Sequence, residues 1–370
     1  MIPISPINRL VEFSLRLIGL WPGYDTYAFV PRLVWITTMC STLVFQYRYL
    51  VVHLTSGDLP DLMDCLSITL SNSVFFIKLI ILWFKTRVFS DIFKMMTEDW
   101  KDSVGSSKNA ETMASRVTLS YRYSSFFVSS YSIGVTFFSS FALLTQEKQL
   151  VLKMELPFDA MRSPVYELVN ILQFVHEFMA ASMSSMLSAL LVSLILHIDG
   201  QVEIICRQLA EISTMLNNRK SCRMMLRSLI YKHQRIITFT NNVENIFTYI
   251  ALVQFLSNTL VICSLGFVIV TVNEYDIIIP YYVLANIEAF ALCYAGEYLT
   301  SKSTAIEEAA YESAWYELEP NDSKILLLLM IRSQKKFVIT AGKFVNLSLE
   351  MFASMLKASG SYVSVLYAMY

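Results

Sequence analysis

Six stretches of this chain, at about 33–54, 62–84, 124–145, 166–197, 247–271 and 278–299, stay mostly apolar for twenty residues or more. Crossing about 30 Å of hydrocarbon takes roughly 20 such residues, and lipid tolerates only segments that satisfy their own backbone, so each stretch reads as a membrane-spanning helix. Composition removes the soluble alternative. Of 370 residues 55% are hydrophobic and 16% charged, against about 25% charged in a soluble domain, and mean hydropathy is +0.50. Lys+Arg at 29 balance Asp+Glu at 30, so no basic field exists to hold a nucleic-acid backbone, and no nucleic-acid partner is expected. A seventh segment, 343–370, is interrupted by Lys343, Glu350 and Lys357. Charge and serine at membrane depth belong against protein or water, which makes this segment the first candidate for a functional pathway.

Lysine and arginine in the connections set the direction of the spans. Counting them gives 22 on the side of the N-terminus and 3, Lys148, Lys153 and Arg162, on the other. The expectation is a cytoplasmic N-terminus and, after seven spans, an extracellular C-terminus. That orientation is the reverse of G-protein-coupled receptors, and neither Asp-Arg-Tyr after the third span nor Asn-Pro-x-x-Tyr in the seventh is present. The sequons at Asn321 and Asn346 then fall on or near the cytoplasmic side, where no glycosylation is expected.

At the N-terminus Asn8, Arg9, Glu12 and Arg16 interrupt the apolar residues, so no cleavable signal is expected. Ile7, Leu10, Val11, Leu17 and Ile18 share one helical face, which describes either a helix lying in the membrane interface or an amphipathic helix packed on protein. Past His197, residues Val202, Ile205, Leu209, Ile212 and Leu216 recur at steps of three and four as a heptad seam. A turn is expected over 217–221, and helical spacing resumes at Leu226, Ile230, His233 and Ile237. Spans four and five should therefore continue into the cytoplasm as a hairpin, joined by a third helix over about 323–341 whose wide apolar face calls for burial among them or against a neighbouring subunit.

Catalytic and metal chemistry find no support in the motifs. Cys40, Cys65, Cys206, Cys222, Cys263 and Cys293 make no CxxC pair, His53, His176, His197 and His233 make no HExxH, and GxxxxGK is absent. Each histidine reads as a polar helix residue with an ordinary partner, and no cofactor is expected.

Three features together resemble the insect odorant receptor family. RLIGLWPG at 16–23 is similar to the N-terminal signature of many members, hymenopteran ones especially. LSLEMFASMLKASGSYVSVLYAM at 347–369, with Ser361-Tyr362 ahead of SVLYAM, resembles the family's C-terminal pattern. The third feature is the architecture. Gustatory receptors, which are related, close on a different pattern, and the chain lacks the long insertion between spans four and five typical of the co-receptor. The resemblance implies an all-α membrane protein with seven spans, a helical cytoplasmic anchor and a split seventh helix lining a pore. It implies a ligand-tuning subunit that assembles with the odorant co-receptor into a tetrameric, non-selective cation channel passing monovalent and divalent cations, in the plasma membrane of olfactory sensory neurons, surrounded by membrane lipid. A homomeric gustatory-type channel and a transporter are the alternatives. The chain then divides into 1–32 (interfacial or cytoplasmic), 33–197 (spans one to four), 198–246 (anchor hairpin), 247–299 (spans five and six), 300–342 (anchor loop and helix) and 343–370 (pore helix).

Two sets of candidate site residues follow. At 100° per residue Leu347, Ser354, Ala358, Ser361, Val365 and Met369 fall close to one helical line, small and polar in its middle and apolar at its outer end. Facing an axis, Ser354 and Ser361 would touch ions and water, while Val365 and Met369, which match the family's hydrophobic gate, would close the path by dewetting. Lys357 lies beside that line, with Glu288 or Glu297 as expected partner. In the outer halves of the spans Tyr131, Gly134 and Phe138 share one face of span three, with Gly134 leaving room between two aromatics. Ser71, Val74 and Phe75, Phe174 and Phe178, and Tyr281 and Tyr282 should converge on the same depth, forming a box for a small apolar volatile molecule.

Overall fold

Each long apolar run forms a helix, and the polar residues between runs supply the ends. The computed structural model describes residues 7, 9–21, 28–55, 59–144, 149–215, 218–271 and 275–369, the side chains of 141–144 and 275–277 excepted. Among these residues stand ten α-helices: α1 (Arg9–Leu17), α2 (Phe29–His53), α3 (Leu59–Phe84), α4 (Thr86–Val104), α5 (Ser107–Leu144), α6 (Val165–Ala210), α7 (Arg219–Thr271), α8 (Tyr275–Glu312), α9 (Pro320–Ser333) and α10 (Leu349–Met369). Seven of them, α2, α3, α5 to α8 and α10, have 21 residues or more. At about 1.5 Å per residue each reaches roughly 30 Å. Four segments combine that length with sufficient apolarity: Leu59–Phe84, Val165–Thr214, Arg219–Thr271 and Ile278–Glu312. The other three carry more polar residues. The all-helical class is as expected, apart from one two-stranded hairpin, β1 (Thr340–Ala341) and β2 (Val345–Asn346).

Helices α6 and α7 run on well past membrane thickness, with 46 and 53 residues. The heptad seam is buried at Val202, Ile205, Leu209 and Ile212, while Leu216, like Asn217, Lys148, Asn8 and the Pro22-Gly23 end of RLIGLWPG, lies outside the described residues. The turn expected through residue 221 is shorter, because α7 already begins at Arg219. Asn218 Oδ1 accepts from the Ser221 backbone N–H at 3.2 Å and starts the helix.

Helix α9 starts three residues earlier than expected, with Pro320 in its first turn, and ends at Ser333 instead of 341. Beyond it Gly342 and Lys343 both take positive φ, 63° and 66°. Phe344 N donates to Ala341 O at 3.2 Å, closing a type I′ turn that returns the chain antiparallel. Gly342 N donates to Thr248 O at 2.8 Å and Thr340 N to Glu244 Oε2 at 2.9 Å, so the hairpin is tied to α7. Consequently the last helix begins at Leu349, not 343.

Helix α1 packs on protein. Val11, Leu15, Ile18 and Leu20 are buried, and Gly19, at φ 70°, ends the helix with Leu20 N to Leu15 O at 2.8 Å and Gly19 N to Arg16 O at 3.1 Å. The remaining carbonyls at this end take donors from other helices. Arg32 reaches Gly19 O at 2.8 Å, Trp35 Nε1 reaches Leu17 O at 3.2 Å and Trp83 Nε1 reaches Ile18 O at 2.9 Å. The signature RLIGLW therefore acts as a knot between α1, α2 and α3.

At the end of the bundle expected from the charge bias to be cytoplasmic, two ionic clusters join helices distant in sequence. Asp99 on α4 pairs with His197 at 3.0 Å and with Arg235, which also reaches Glu98 at 3.0 Å. Asp199 on α6 pairs with Arg116 at 2.9 Å and Lys302 at 3.3 Å and accepts from the Tyr298 hydroxyl at 2.8 Å. His197 and His53 thus have ordinary partners, His53 Nδ1 lying 3.0 Å from Tyr49 O. His176 does not, since neither of its buried ring nitrogens has a hydrogen-bond partner among the described residues.

Candidate ligand cavity and terminal helix

Five helices each turn one stripe toward a common space. Ile68, Ser71, Asn72 and Phe75 on α3 are spaced i, i+3, i+4, i+7, as are Tyr131, Gly134, Val135 and Phe138 on α5 and Glu177, Ala180, Ala181 and Ser184 on α6. Gln254, Ser257, Asn258 and Val261 on α7 and Tyr281, Leu284, Ala285 and Glu288 on α8 repeat the spacing. Residues at these intervals share a helix face, so the five stripes enclose a cavity of about 130 Å³. Leu152 also lines it. Its segment is held to α6 by Val151 N to Asn170 Oδ1 at 2.9 Å, Leu152 N to Gln173 Oε1 at 3.0 Å and Gln173 Nε2 to Leu152 O at 3.2 Å. Lys153, next in sequence, reaches Asp61 at 2.6 Å and Asp64 at 2.9 Å, anchoring the same segment to α3. Burial disfavours its ammonium, but Asp64 and Asp61 outweigh that and hold it above the usual lysine range.

Of the ten residues expected to form a ligand box, Ser71, Val74, Phe75, Tyr131, Gly134, Phe138 and Tyr281 line this cavity. Phe174, Phe178 and Tyr282 do not. On α6 the cavity stripe runs through Glu177 and Ala181, and Phe174 and Phe178 pack on each other beside it, ring centroids 6.0 Å apart. Tyr282, one residue past Tyr281, is rotated about 100° off the stripe and packs with the α7 residues Val261, Ile262 and Leu265. The space opposite Gly134 is taken by Leu284, whose Cδ1 would lie 2.7 Å from an added Cβ. Gly134 therefore admits a side chain of α8 at this point.

The cavity is more polar than an aromatic box. Glu288 accepts from Lys78 Nζ at 3.3 Å, from Ser188 Oγ at 2.7 Å and from the Tyr131 hydroxyl at 2.7 Å. Asn72 Nδ2 donates to Glu177 Oε2 at 3.2 Å, and the Tyr281 hydroxyl lies 2.7 Å from Ser71 Oγ and donates to Ser67 O at 3.1 Å. Sequence reasoning missed Glu177, Glu288, Gln254 and Asn258 here. A usable signal existed for the two acids, because an ionisable residue inside an apolar span marks a functional site by default.

Helix α10 buries Met351, Met355 and Ser359 on one side. Along the proposed pore line Ser354 and Ser361 are exposed, Ala358 is half-buried, and Val365 and Met369 are 56% and 81% exposed within the chain. Leu347 departs from that line. It precedes the helix, is buried, donates from its N to Ile339 O at 2.9 Å and lies against Gly296, where a Cβ would come within 2.5 Å of its backbone oxygen. Lys357 is exposed and Glu288 is engaged by Lys78, which removes the pairing expected between them; Glu297 is exposed as well.

A family model described as 7tm Odorant receptor matches residues 58–360. Odorant receptor 10 of Aedes albopictus is 31% identical over 241 residues, covering 64% of this chain and 64% of that protein. Odorant receptor Or2 of Anopheles gambiae is 26% identical over 222 residues, covering 57% of this chain and 59% of that one. The chain thus spans less than two thirds of the length of these curated relatives. The olfactory receptor OR5 from Machilis hrabei, solved in complex with eugenol, has the same fold, with a TM-score of 0.82 over 97% of each chain at 16% identity. The family match runs from the start of α3 into α10 and takes in most of the chain, which belongs to the 7tm odorant receptor family.

Proposed function

We propose that this chain is the odorant-binding subunit of an odorant-gated, non-selective cation channel in the plasma membrane of olfactory sensory neurons. It assembles with the odorant co-receptor into a tetramer, and α10 of each subunit lines a central pore for monovalent and divalent cations. The N-terminus is cytoplasmic, and residues 198–246 and 300–342 build the cytoplasmic anchor between subunits. An exposed apolar face on α9, with Leu328 at 66% and Ile331 at 63%, supports that packing, since Leu326 and Leu329 already fill its contact within the chain.

The observation that carries the reading is the cavity. Its volume, about 130 Å³, is near the roughly 150 Å³ of an engineered apolar cavity that holds benzene, and its walls include Val74, Phe75, Phe138, Leu152 and Leu284. A small apolar volatile binds such a space through buried area, at about 25 cal/mol per Å². The Machilis hrabei receptor, which shares the fold, is solved in complex with eugenol, and this supports a small volatile as the ligand class. The polar, uncovered line of α10 supports a pore role, because serine and lysine facing lipid are costly whereas facing water they are not.

Expression with and without the co-receptor, read as odorant-evoked current across a broad panel of volatiles, tests the proposal. Current that needs both chains supports it. Flux without the co-receptor, saturating like transport, or no evoked current while the co-receptor's own agonist still works, refutes it.

A further inference from the structure

Two buried polar atoms in the cavity wall have no hydrogen-bond partner among the described residues, Oε1 of Gln254 and Nδ2 of Asn258. The residues sit one turn apart on α7, both line the cavity, and they are only 4% and 5% exposed. They are bonded to each other, Gln254 Nε2 donating to Asn258 Oδ1 at 2.7 Å. That bond occupies one donor group and one acceptor, and leaves the pair with one acceptor and one donor group. Exchanging oxygen and nitrogen in both amides leaves the same complement, so the conclusion is independent of how the amides are assigned. A buried donor or acceptor without a partner carries its desolvation penalty until a ligand supplies the matching atom.

We propose that Gln254 and Asn258 make this cavity selective for odorants carrying a hydroxyl group, whose O–H donates to the free acceptor and whose oxygen accepts from the free donor. A hydroxyl group carries both complements, a donor and an acceptor, while its carbon skeleton packs on Val74, Phe75 and Phe138. A ketone, aldehyde or ether only accepts and leaves the free acceptor unmet. A hydrocarbon leaves both unmet. The nearby acid Glu288 does not compete for the ligand, because Lys78, Ser188 and Tyr131 already donate to its two oxygens. The selectivity rests on the cavity being the odorant site, as proposed above.

The test uses the full chain co-expressed with the co-receptor and challenged with sets of volatiles matched in carbon skeleton: alcohol or phenol, methyl ether, aldehyde or ketone, amine and hydrocarbon. The hydroxylated member of each set should reach half-maximal current at a concentration about tenfold or more below its partners. Gln254→Met/Asn258→Leu, which removes the pair together, should erase that preference and respond to the hydrocarbons at lower concentration than the parent. This gain also reports that the variant is folded and assembled, and surface labelling provides a second measure. A preference for ethers, carbonyls, amines or hydrocarbons in the parent, or a hydroxyl preference that survives in the double variant, overturns the selectivity and leaves the receptor function standing. Silence to every volatile, in cells where the co-receptor's agonist evokes current, overturns both.

Discussion

Replacing Lys78 by Met isolates a carboxylate in the middle of the bundle. Lys78 and Glu288 are 2% and 7% exposed, with Nζ 3.3 Å from Oε1. At that distance an effective dielectric of about 20 gives an attraction of about 5 kcal/mol, most of which dehydration of the two ions offsets. The intact pair is therefore worth little over an apolar pair of the same size. Without the lysine, Glu288 keeps two neutral donors among the described residues, the Tyr131 and Ser188 hydroxyls. Loss of one partner from such a pair costs about 3–5 kcal/mol. In Lys78→Met/Glu288→Gln the amide oxygen accepts from one hydroxyl, the amide N–H donates to the oxygen of the other, and no charge remains, so the double variant should recover more than half of the loss. The assay is thermal melting of the purified complex in detergent, followed by fluorescence-detected gel filtration, for parent, both single variants and the double. Lys78→Met should melt well below the parent and the double variant should melt above Lys78→Met. If Lys78→Met melts with the parent, or if the two single effects simply add, the buried pair is not coupled as its geometry demands.

Gly134→Leu should push on Leu284 Cδ1, 2.7 Å from the new Cβ, shrink the cavity and abolish or shift the odorant response without reducing assembly; a superimposable dose response would take the ligand away from this depth. Val365→Ser or Met369→Ser, each wetting an exposed apolar position near the end of α10, should raise ligand-independent current several-fold, and unchanged basal current and ion selectivity in both would remove them from the pore. Burial, and then the charge of Arg332, hold His233 on α7 down to about 4 against an ordinary 6.5. Because its folded-state value is depressed, its contribution to stability is complete above pH 6.5 and declines as pH falls toward 4. His233→Gln should flatten that decline, measured as melting temperature against pH, and an identical slope in the variant would show that another group titrates.

Helix positions were legible wherever apolar length alone decides them. The continuation of span four past His197 could be read because the seam from Val202 to Ile212 keeps its period, and all four of its described residues are buried. Boundaries set by tertiary bonds could not. Nothing local marks 334–348 as non-helical except Gly342, and the turn there is fixed by Glu244 and Thr248 of α7, about 95 residues earlier. The end of α1 was half legible. Gly19 is a recognisable stop, but the donors that satisfy its carbonyls come from Arg32, Trp35 and Trp83 and required the folded chain.

Apolar walls and polar groups of the cavity differ in what the sequence discloses, and for a physical reason. A wall residue needs only to be apolar and on the right stripe, so spacing along one helix found Tyr131 and Phe138 on α5. A buried polar group is tolerated only by virtue of its partner, and the partner of Glu288 is Lys78, 210 residues away. That pairing also takes Glu288, one of the two acids expected beside Lys357, out of its reach. In the fold Lys78 is 2% exposed and takes the buried carboxylate, while Lys357 stays on the uncovered side of α10 with Ser354 and Ser361. A helix that buries Met351 and Met355 yet leaves lysine and serine uncovered is poorly suited to a lone chain in lipid. The same residues that weaken its hydropathy thus support the proposed pore, whose line from Ser354 to Met369 is uncharged.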